Sequence, residues 1–172
     1  MTPIARSHGR ETRKRFTVRK PLTYGGGFDG RFGATYFVTI CCQSHGTNQL
    51  CRDPSAAILF ETARRYHISE RCHFYLLLLM PDHLHALISV SGQLKIAELV
   101  RDFKRMAARS AKIRWPRNFF DHRLRREESL VAKGAYIRAN PVRARLVESE
   151  EKWTYARGFA DFERNEIKRT GD

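Results

Sequence analysis

The chain has 172 residues, 42% of them hydrophobic, which is enough for one domain with its own core and excludes a disordered solvating tail. Lys and Arg number 32 against 18 Asp and Glu, so the formal net charge is +14. A field of this sign attracts polyanions, and nucleic acid is the first partner to expect. An anionic membrane surface is a less favoured alternative.

The cysteines and the apolar segments indicate a reducing compartment. The chain contains Cys41, Cys42, Cys51 and Cys72. They form no C-x-x-C pair, so they predict neither a zinc ribbon nor a disulfide framework. The N-terminus has no apolar segment of signal-peptide length, and the longest apolar run is too short to span a bilayer. We expect a cytoplasmic, nucleoid-associated protein with reduced thiols and no membrane partner.

Residues 1–30 are predicted to form a flexible basic arm. Residues 1–20 contain seven Lys or Arg, and residues 25–33 contain five glycines. No Gly-Lys-Ser/Thr follows these glycines, so the Lys and the hydroxyl of a phosphate-binding loop are missing. We therefore expect no nucleotide cofactor.

The next four elements follow from composition and spacing. Residues 34–43 are rich in β-branched and aromatic side chains, which favours a strand. Residues 53–68 have apolar positions at helical spacing, with Pro54 in the first turn. The apolar runs at 73–81 and 83–90 meet at a Pro-Asp dipeptide, which suits a turn between two antiparallel strands.

Three more elements are predicted before residue 141. Residues 94–113 form an amphipathic helix with a basic side, and residues 115–125 resemble a short strand or hairpin. Residues 127–140 are helical in character, with two acids at the start, where the helix dipole favours them. Pro141 ends this helix, because proline disfavours a helical residue before it.

The order of these elements predicts the fold class. Strand, helix, strand, strand, helix, strand, helix gives an α+β domain with helices packed against a sheet. We place this domain at residues 31–153, between the arm and a basic C-terminal tail of residues 154–172.

His83 and His85 are the first candidates for a functional site. On a strand, alternation places both imidazoles on one face and Leu84 on the other. Two such histidines can hold one divalent ion through their ring nitrogens. A histidine near a strand end can instead be only hydrogen-bonded or exposed, and the pair alone leaves this alternative open.

Tyr136 lies 51 residues after His85 and, in a helix, shares a face with Asn140. A metal near a phosphodiester would help a phenol, whose free pKa is ~10, to act as a nucleophile. The Asn140 amide oxygen would offer a third ligand of the kind that suits Mg²⁺ or Mn²⁺. A packed tyrosine with a satisfied hydroxyl and an asparagine that only ends a helix are the alternatives.

Basic side chains on the 94–113 helix and around Tyr136 are candidates for contacts with DNA phosphates. They are Arg101, Lys104, Arg105, Arg138, Arg143 and Arg145. Phe119 or Phe120 can stack on unpaired bases, with core packing as the alternative.

Four segments in order carry a resemblance to a known family: YFVTI, MPDHLHALI, FFDHRLRREESL and YIRANPVRARLV. Together they resemble the REP-associated tyrosine transposases, members of the single-tyrosine HUH transposase superfamily. The resemblance covers about residues 33–153.

The resemblance implies a ferredoxin-like fold with a central antiparallel sheet. His83 and His85 match the metal-binding histidines, Asn140 the polar third ligand and Tyr136 the nucleophile. The implied cofactor is Mg²⁺ or Mn²⁺, and the implied partner is single-stranded or hairpin DNA, including palindromic repeats. The implied reaction is cleavage and strand transfer through a covalent 5′-phosphotyrosine, as in DNA transposition.

Two other functions stay open. One is a domesticated protein that binds hairpin DNA without transposition, and the other is an RNA-binding module whose histidines are structural. The presence of His83, His85, Asn140 and Tyr136 together argues against both. We expect a monomer or a homodimer.

Overall fold

A computed structural model of the chain describes residues 29–30, 33–91, 94–125 and 128–164. The predicted arm lies outside the described residues except for Asp29 and Gly30, and the predicted tail lies outside them from residue 165 onwards. Within this described part, no helix is long and apolar enough to cross a bilayer.

The described residues form one sheet with helices on it. The strands are β1 (Asp29–Gly30), β2 (Gly33–Cys41), β3 (His73–Leu79), β4 (His83–Val90), β5 (Phe120–Arg123) and β6 (Ala156–Gly158). The helices are α1 (Ser55–Ile68), α2 (Ile96–Ala111), α3 (Leu130–Arg138), α4 (Asn140–Arg143) and α5 (Phe159–Glu163), with a 3₁₀ turn at Glu150–Lys152.

All the strand pairs are antiparallel, in the order β1-β2-β4-β3-β6, and β5 also pairs with β2. Because β4 occupies one edge of β2, β5 lies on the other. Without the short strands β1 and β6, the order β5-β2-β4-β3 and the connections through α1 and α2 form a β-α-β-β-α-β unit. The predicted α+β, ferredoxin-like fold is confirmed.

The two faces of the sheet carry separate apolar clusters. On the first face, Val38 of β2 and Leu84 of β4 pack with the α1 and α2 side chains Leu59 and Leu99, all at most 2% exposed. Complete burial of a leucine side chain contributes roughly 1.5–3 kcal/mol. The second face carries a smaller cluster in which α3 supplies one buried residue, Ile137, and the partly buried Leu130. The second face is therefore only partly covered, which leaves room for a site.

The helix predicted over residues 127–140 is two helices. Ser129 caps α3, because its hydroxyl accepts the Ala132 N–H at 3.2 Å. That helix ends at Arg138, and Pro141 lies in the first turn of α4. A proline is tolerated there, since the first turn needs no N–H donor. Pro141 therefore starts a new turn as well as ending the earlier helix.

The boundary predicted at residue 153 falls inside the folded domain. β6 pairs with β3 from Leu76↔Gly158 to Leu78↔Ala156, and Phe162 of α5 is 2% exposed in the core. Glu163 Oε1 lies 2.9 Å from His67 Nε2. A three-residue strand and a five-residue helix are too short to give a periodic pattern, so the sequence did not reveal them.

The four cysteines are free thiols, as expected, and all except Cys41 are buried. Burial raises the pKa of the Cys42, Cys51 and Cys72 thiols to about 12. These three thiols are therefore core groups rather than reactive ones.

Candidate active site

Strand β4 brings His83 and His85 together on the second face of the sheet. Their ring centroids are 4.9 Å apart, with the ring planes at 78°. Leu84, between them, is 1% exposed in the core of the first face. The alternation predicted from the sequence is therefore present, and the two imidazoles are neighbours.

His85 is a buried, uncharged imidazole. It is 9% exposed, and its Nδ1 lies 2.9 Å from the hydroxyl oxygen of Thr39, its partner in the β2–β4 register. Burial, aided by the nearby His83 and by the charge of Arg143, lowers the pKa of His85 to about 3. The ring therefore keeps a nitrogen lone pair at neutral pH, as a metal ligand must.

His83 is oriented by a carboxylate. Its Nδ1 lies 2.8 Å from Asp82 Oδ1, and the other oxygen of Asp82 accepts the Gly46 N–H at 2.7 Å. Burial opposes the charge on Asp82, but the hydrogen bonds from Gly46 and His83 keep the pKa of that carboxyl below its usual value. A carboxylate on the far nitrogen fixes the orientation of a ligating histidine.

The donor set fits a divalent ion that keeps water ligands. Since Nδ1 of each ring is engaged, Nε2 is the nitrogen that each ring would offer. The described part of the chain contains no group of three or more His, Cys, Asp or Glu that could hold a metal. A metal on His83 and His85 would therefore need an amide oxygen and water, which Mg²⁺ and Mn²⁺ accept.

Helix α3 places Tyr136 above the same face. Its neighbour Ile137 is completely buried in the cluster that includes Leu87 of β4. Tyr136 is 53% exposed and accessible to a ligand. Lys133 Nζ lies 5.8 Å from the Tyr136 ring centroid and 5.7 Å from that of Phe37, which itself lies 5.5 Å from the His85 ring. Phe37 and Lys133 thus link the tyrosine to the histidine pair.

Arg143 of α4 joins Asn140 to Tyr136. Its Nη2 donates to Asn140 Oδ1 and to the Tyr136 carbonyl, both at 3.0 Å, and its Cζ lies 4.1 Å from the Tyr136 ring centroid. The Asn140 amide is fixed at its other end, where Nδ2 donates to the Ile137 carbonyl at 2.9 Å. The structure therefore brings Tyr136, Asn140 and Arg143 into contact, with the amide oxygen of Asn140 held by Arg143.

Sequence reasoning missed a second group of contacts beside Tyr136, formed by Glu128, His122 and Lys133. Glu128 Oε2 lies 2.9 Å from His122 Nε2 and accepts the Arg125 N–H at 2.8 Å, and Oε1 lies 3.9 Å from Lys133 Nζ. The Arg125 N–H, with His122, lowers the pKa of Glu128. Lys133 stands three residues before Tyr136, and helical spacing could have identified it as a neighbour.

Lys104, predicted to contact DNA, has a structural role. It is 9% exposed, and its Nζ donates to the carbonyls of Pro116, Arg117 and Asn118 at 2.9, 3.3 and 3.0 Å. An ammonium group has three N–H donors, so none remains for a phosphate.

Arg138 also lies apart from Tyr136. Its Nη2 is 3.0 Å from the position that a Cβ on Gly158 would occupy, so the side chain lies against β6. Residues two apart on a helix do not share a face. Arg145 is exposed just after α4.

A basic groove lies beside α2 on the first face of the sheet. It has a volume of about 520 Å³ and runs between α2 and residues 113–119. Its lining includes Arg101, Arg105, Arg114, Trp115, Arg117 and Phe119. The side chains of Arg101 and Arg105 are 71% and 59% exposed, and Arg105 forms an ion pair with Asp102. The interleaving of Arg and aromatic residues after position 113 was a signal that sequence reasoning did not use.

Comparison with protein families identifies one match. The sequence profile described as "Transposase IS200 like" matches residues 34–125, just over half of the chain. The matched range includes His83 and His85 and ends before α3. The match confirms the resemblance read from the sequence.

Nine solved chains match the structure of this one, and two of them are described as transposases. A REP-associated tyrosine transposase bound to a REP hairpin has a TM-score of 0.63 and 17% identity, over 80% of this chain and 82% of that one. A putative transposase from Deinococcus radiodurans R1 has a TM-score of 0.47 and 17% identity, over 69% and 92% of the two chains. No curated protein matches the sequence.

Proposed function

We propose, because this chain belongs to the IS200-like transposase family, that it cleaves single-stranded DNA at hairpins or palindromic repeats and transfers the cut strand through a tyrosine ester. The observation that supports the proposal is that the His83–His85 pair and the exposed Tyr136 lie on the same face of the sheet, linked through Phe37 and Lys133. The hairpin in the similar solved structure supports the choice of substrate.

The chain's own residues would act as follows. His83, His85 and Asn140 hold Mg²⁺ or Mn²⁺, which when bound polarises the scissile phosphate and offsets its developing charge. Tyr136 Oη gives its proton to solvent and forms a bond to phosphorus, while the bond from phosphorus to the 3′ oxygen breaks and that oxygen takes a proton from solvent. One DNA end leaves as a 3′ hydroxyl, and the other stays on Tyr136 as a 5′ phosphate ester. A second 3′ hydroxyl reverses these steps and completes strand transfer.

The exposed cations would bind the rest of the strand. Arg101, Arg114 and Arg117 line the groove beside α2, where Trp115 and Phe119 offer faces for unpaired bases. Arg145 lies just after α4, nearer Tyr136 in sequence. We place this activity in the cytoplasm, on nucleoid DNA.

A covalent-adduct assay tests the proposal. The protein is incubated with a labelled single-stranded hairpin oligonucleotide and Mn²⁺, and a protein–DNA adduct is sought on a denaturing gel. We expect an adduct that Tyr136→Phe and chelation abolish and that Tyr155→Phe, the matched control, preserves. Tyr155 lies away from the histidines, because its carbonyl accepts the Leu79 N–H at the edge of β3 that faces away from β4. Its ring centroid lies 5.5 Å from that of Trp153.

Two results would contradict the proposal. An adduct that persists in Tyr136→Phe would exclude Tyr136 as the nucleophile. Tight hairpin binding by the unaltered protein without any adduct would instead favour a protein that binds hairpins and does not cut them.

A further inference from the structure

Arg143 is held by the residues of the candidate site. Its Nη2 donates two hydrogen bonds, one to Asn140 Oδ1 and one to the Tyr136 carbonyl. Within the described residues, no ion pair joins Arg143 to a carboxylate. Its side chain is therefore held by Asn140 and Tyr136, the two residues beside it that the proposed reaction uses.

The geometry of a guanidinium makes these contacts exchangeable. Arginine binds a phosphate best through two parallel N–H donors on neighbouring nitrogens. Such a pair is formed either by Nη1 with Nη2 or by Nε with Nη2, because Cδ blocks the remaining edge. A phosphate bound in this way takes a hydrogen of Nη2, and both are in use. A paired bond between two ions is stronger than one bond from the guanidinium to a neutral acceptor, so the phosphate displaces one of the two acceptors. Where it takes the hydrogen that points to Asn140, it frees the Asn140 amide oxygen.

We infer that Arg143 is a positioning residue that holds the Asn140 amide oxygen in the DNA-free protein and releases it when a DNA phosphate binds the guanidinium. The inference rests on the proposed function, since the released oxygen is the third ligand of the metal on His83 and His85. Nδ2 of Asn140 keeps its bond to Ile137, so the freed amide stays anchored.

Metal binding and DNA binding are then positively coupled. Without DNA, the amide oxygen is occupied, and the metal has only the two imidazoles of His83 and His85 from this ligand set. With a phosphate on Arg143, the oxygen is free and the positive charge beside His85 is neutralised. Coupling of this kind typically changes an affinity by at least about 5-fold.

A double-mutant cycle on Mn²⁺ affinity tests the inference without DNA. Free Mn²⁺ is measured by electron paramagnetic resonance in the unaltered protein, Arg143→Ala, Asn140→Ala and the double variant. Removal of the Arg143 charge favours the cation equally whether Asn140 is present or absent, so the cycle cancels it. We expect Arg143→Ala to tighten Mn²⁺ binding about 5-fold more when Asn140 is present. Equal effects in the two backgrounds would overturn the inference.

Arg145→Ala is the matched control. It removes the same charge two residues away, and we expect its effect on Mn²⁺ affinity to be independent of Asn140. A coupling free energy between Arg145 and Asn140 as large as that between Arg143 and Asn140 would overturn the inference.

Added DNA gives the second test, in a Tyr136→Phe background that prevents cleavage. A hairpin oligonucleotide should raise the Mn²⁺ affinity at least about 5-fold when Arg143 is present, and by less in Arg143→Lys, which keeps the charge but lacks the paired donors. An equal increase in Arg143→Lys would overturn the inference.

The proposed function can fail separately from this inference. If the Arg143–Asn140 coupling is large but the hairpin forms no adduct, the proposed cleavage is wrong and the exchange stands. If His85→Ala binds Mn²⁺ as tightly as the unaltered protein, the metal site is wrong and the exchange falls with it.

Discussion

Thr39 determines which ring nitrogen of His85 is available to a metal. Its hydroxyl oxygen lies 2.9 Å from Nδ1, so this ring nitrogen is engaged and Nε2 is left for the metal. The contact follows from the β2–β4 register, in which Thr39 stands opposite His85. A partner on the second nitrogen typically changes metal affinity 10- to 100-fold.

Thr39→Val should therefore weaken Mn²⁺ binding about tenfold, because valine keeps the shape of threonine and loses the hydroxyl. The same resonance titration of free Mn²⁺ measures the change. Thr35→Val is the matched control, since Thr35 lies on the same strand and face and bonds Ser89 at 2.6 Å instead. A loss of affinity as large in Thr35→Val as in Thr39→Val would show that the hydroxyl of Thr39 has no particular role.

The residues of the site were predictable where one element sufficed. Alternation on a single strand gave His83 and His85, and helical spacing gave Tyr136 and Asn140 as neighbours. Thr39 could not be found in this way, because its place opposite His85 depends on how two distant strands align. Helical spacing likewise could not show that the N–H donors of Lys104 bind carbonyls of residues 116–118, in the loop after α2.

At the scale of elements, an ion pair joins the end of α1 to α2. Arg71 Nη2 lies 3.0 Å from Asp102 Oδ2, and Arg71 also stacks on the Tyr66 ring at 4.5 Å. The hydrogen bond from Arg71, assisted by Arg105, lowers the pKa of Asp102. The charged form of Asp102 therefore stabilises the fold above the ordinary carboxyl pKa, and this stability is lost as the pH falls through the lowered pKa.

Asp102→Asn should reduce the free energy of unfolding at pH 7 by about 1 kcal/mol or less, since the pair is partly solvated. The difference from the unaltered protein should begin to shrink as the pH falls below the ordinary carboxyl pKa of about 4, and it should vanish once the pH is below the lowered pKa of Asp102. Urea unfolding at a series of pH values measures it. A difference that stays constant from pH 7 into acid would contradict the assigned charge.

The C-terminal elements provide a sharper test of packing. Phe162 is 2% exposed and its ring lies 5.3 Å from that of Phe74, whereas Phe159 on the same short helix is 44% exposed. Phe162→Ala should cost about 3 kcal/mol in the free energy of unfolding, because it leaves a cavity. Phe159→Ala, the matched control, should cost clearly less. Equal costs would mean that α5 contributes little to the core.

Helices and strands with a long periodic pattern of apolar residues were predictable. The short elements form only because distant parts of the chain pack or pair with them. The five long elements β2, α1, β3, β4 and α2 appeared within about two residues of their predicted bounds. β6 has only three residues and is a strand because β3 offers a free edge. The local sequence of residues 156–158 therefore does not indicate that they pair with β3.

At the scale of the whole molecule, positive charge is placed on both sides of the sheet. Arg143 and Lys133 lie by the histidines on the second face, while Arg114 and Arg117 line the groove beside α2 on the first. A strand that reaches both must pass around the edge of the sheet. The net charge of +14 gives long-range attraction, but the arrangement of cations sets the path.

The salt dependence of binding tests the groove. Each phosphate contact to a single strand contributes a slope of roughly 0.7 to the fall of log affinity with log salt concentration. Replacing both Arg114 and Arg117 by Ala should reduce the slope by about 1.4, measured with a labelled single-stranded oligonucleotide. Arg109→Ala, on α2 but outside the groove lining, should leave it unchanged. An unchanged slope in the double variant would exclude the groove as a phosphate path.

The alternation along β4 also limits how this protein can vary. Leu84 belongs to the core of the first face, and His83 and His85 face the opposite side. Deleting one residue just before β4 would turn both imidazoles into the core and expose the leucine. A length change there would thus disturb the histidine pair and the core together, whereas a substitution at His83 or His85 can remove the pair and leave the core of the first face intact.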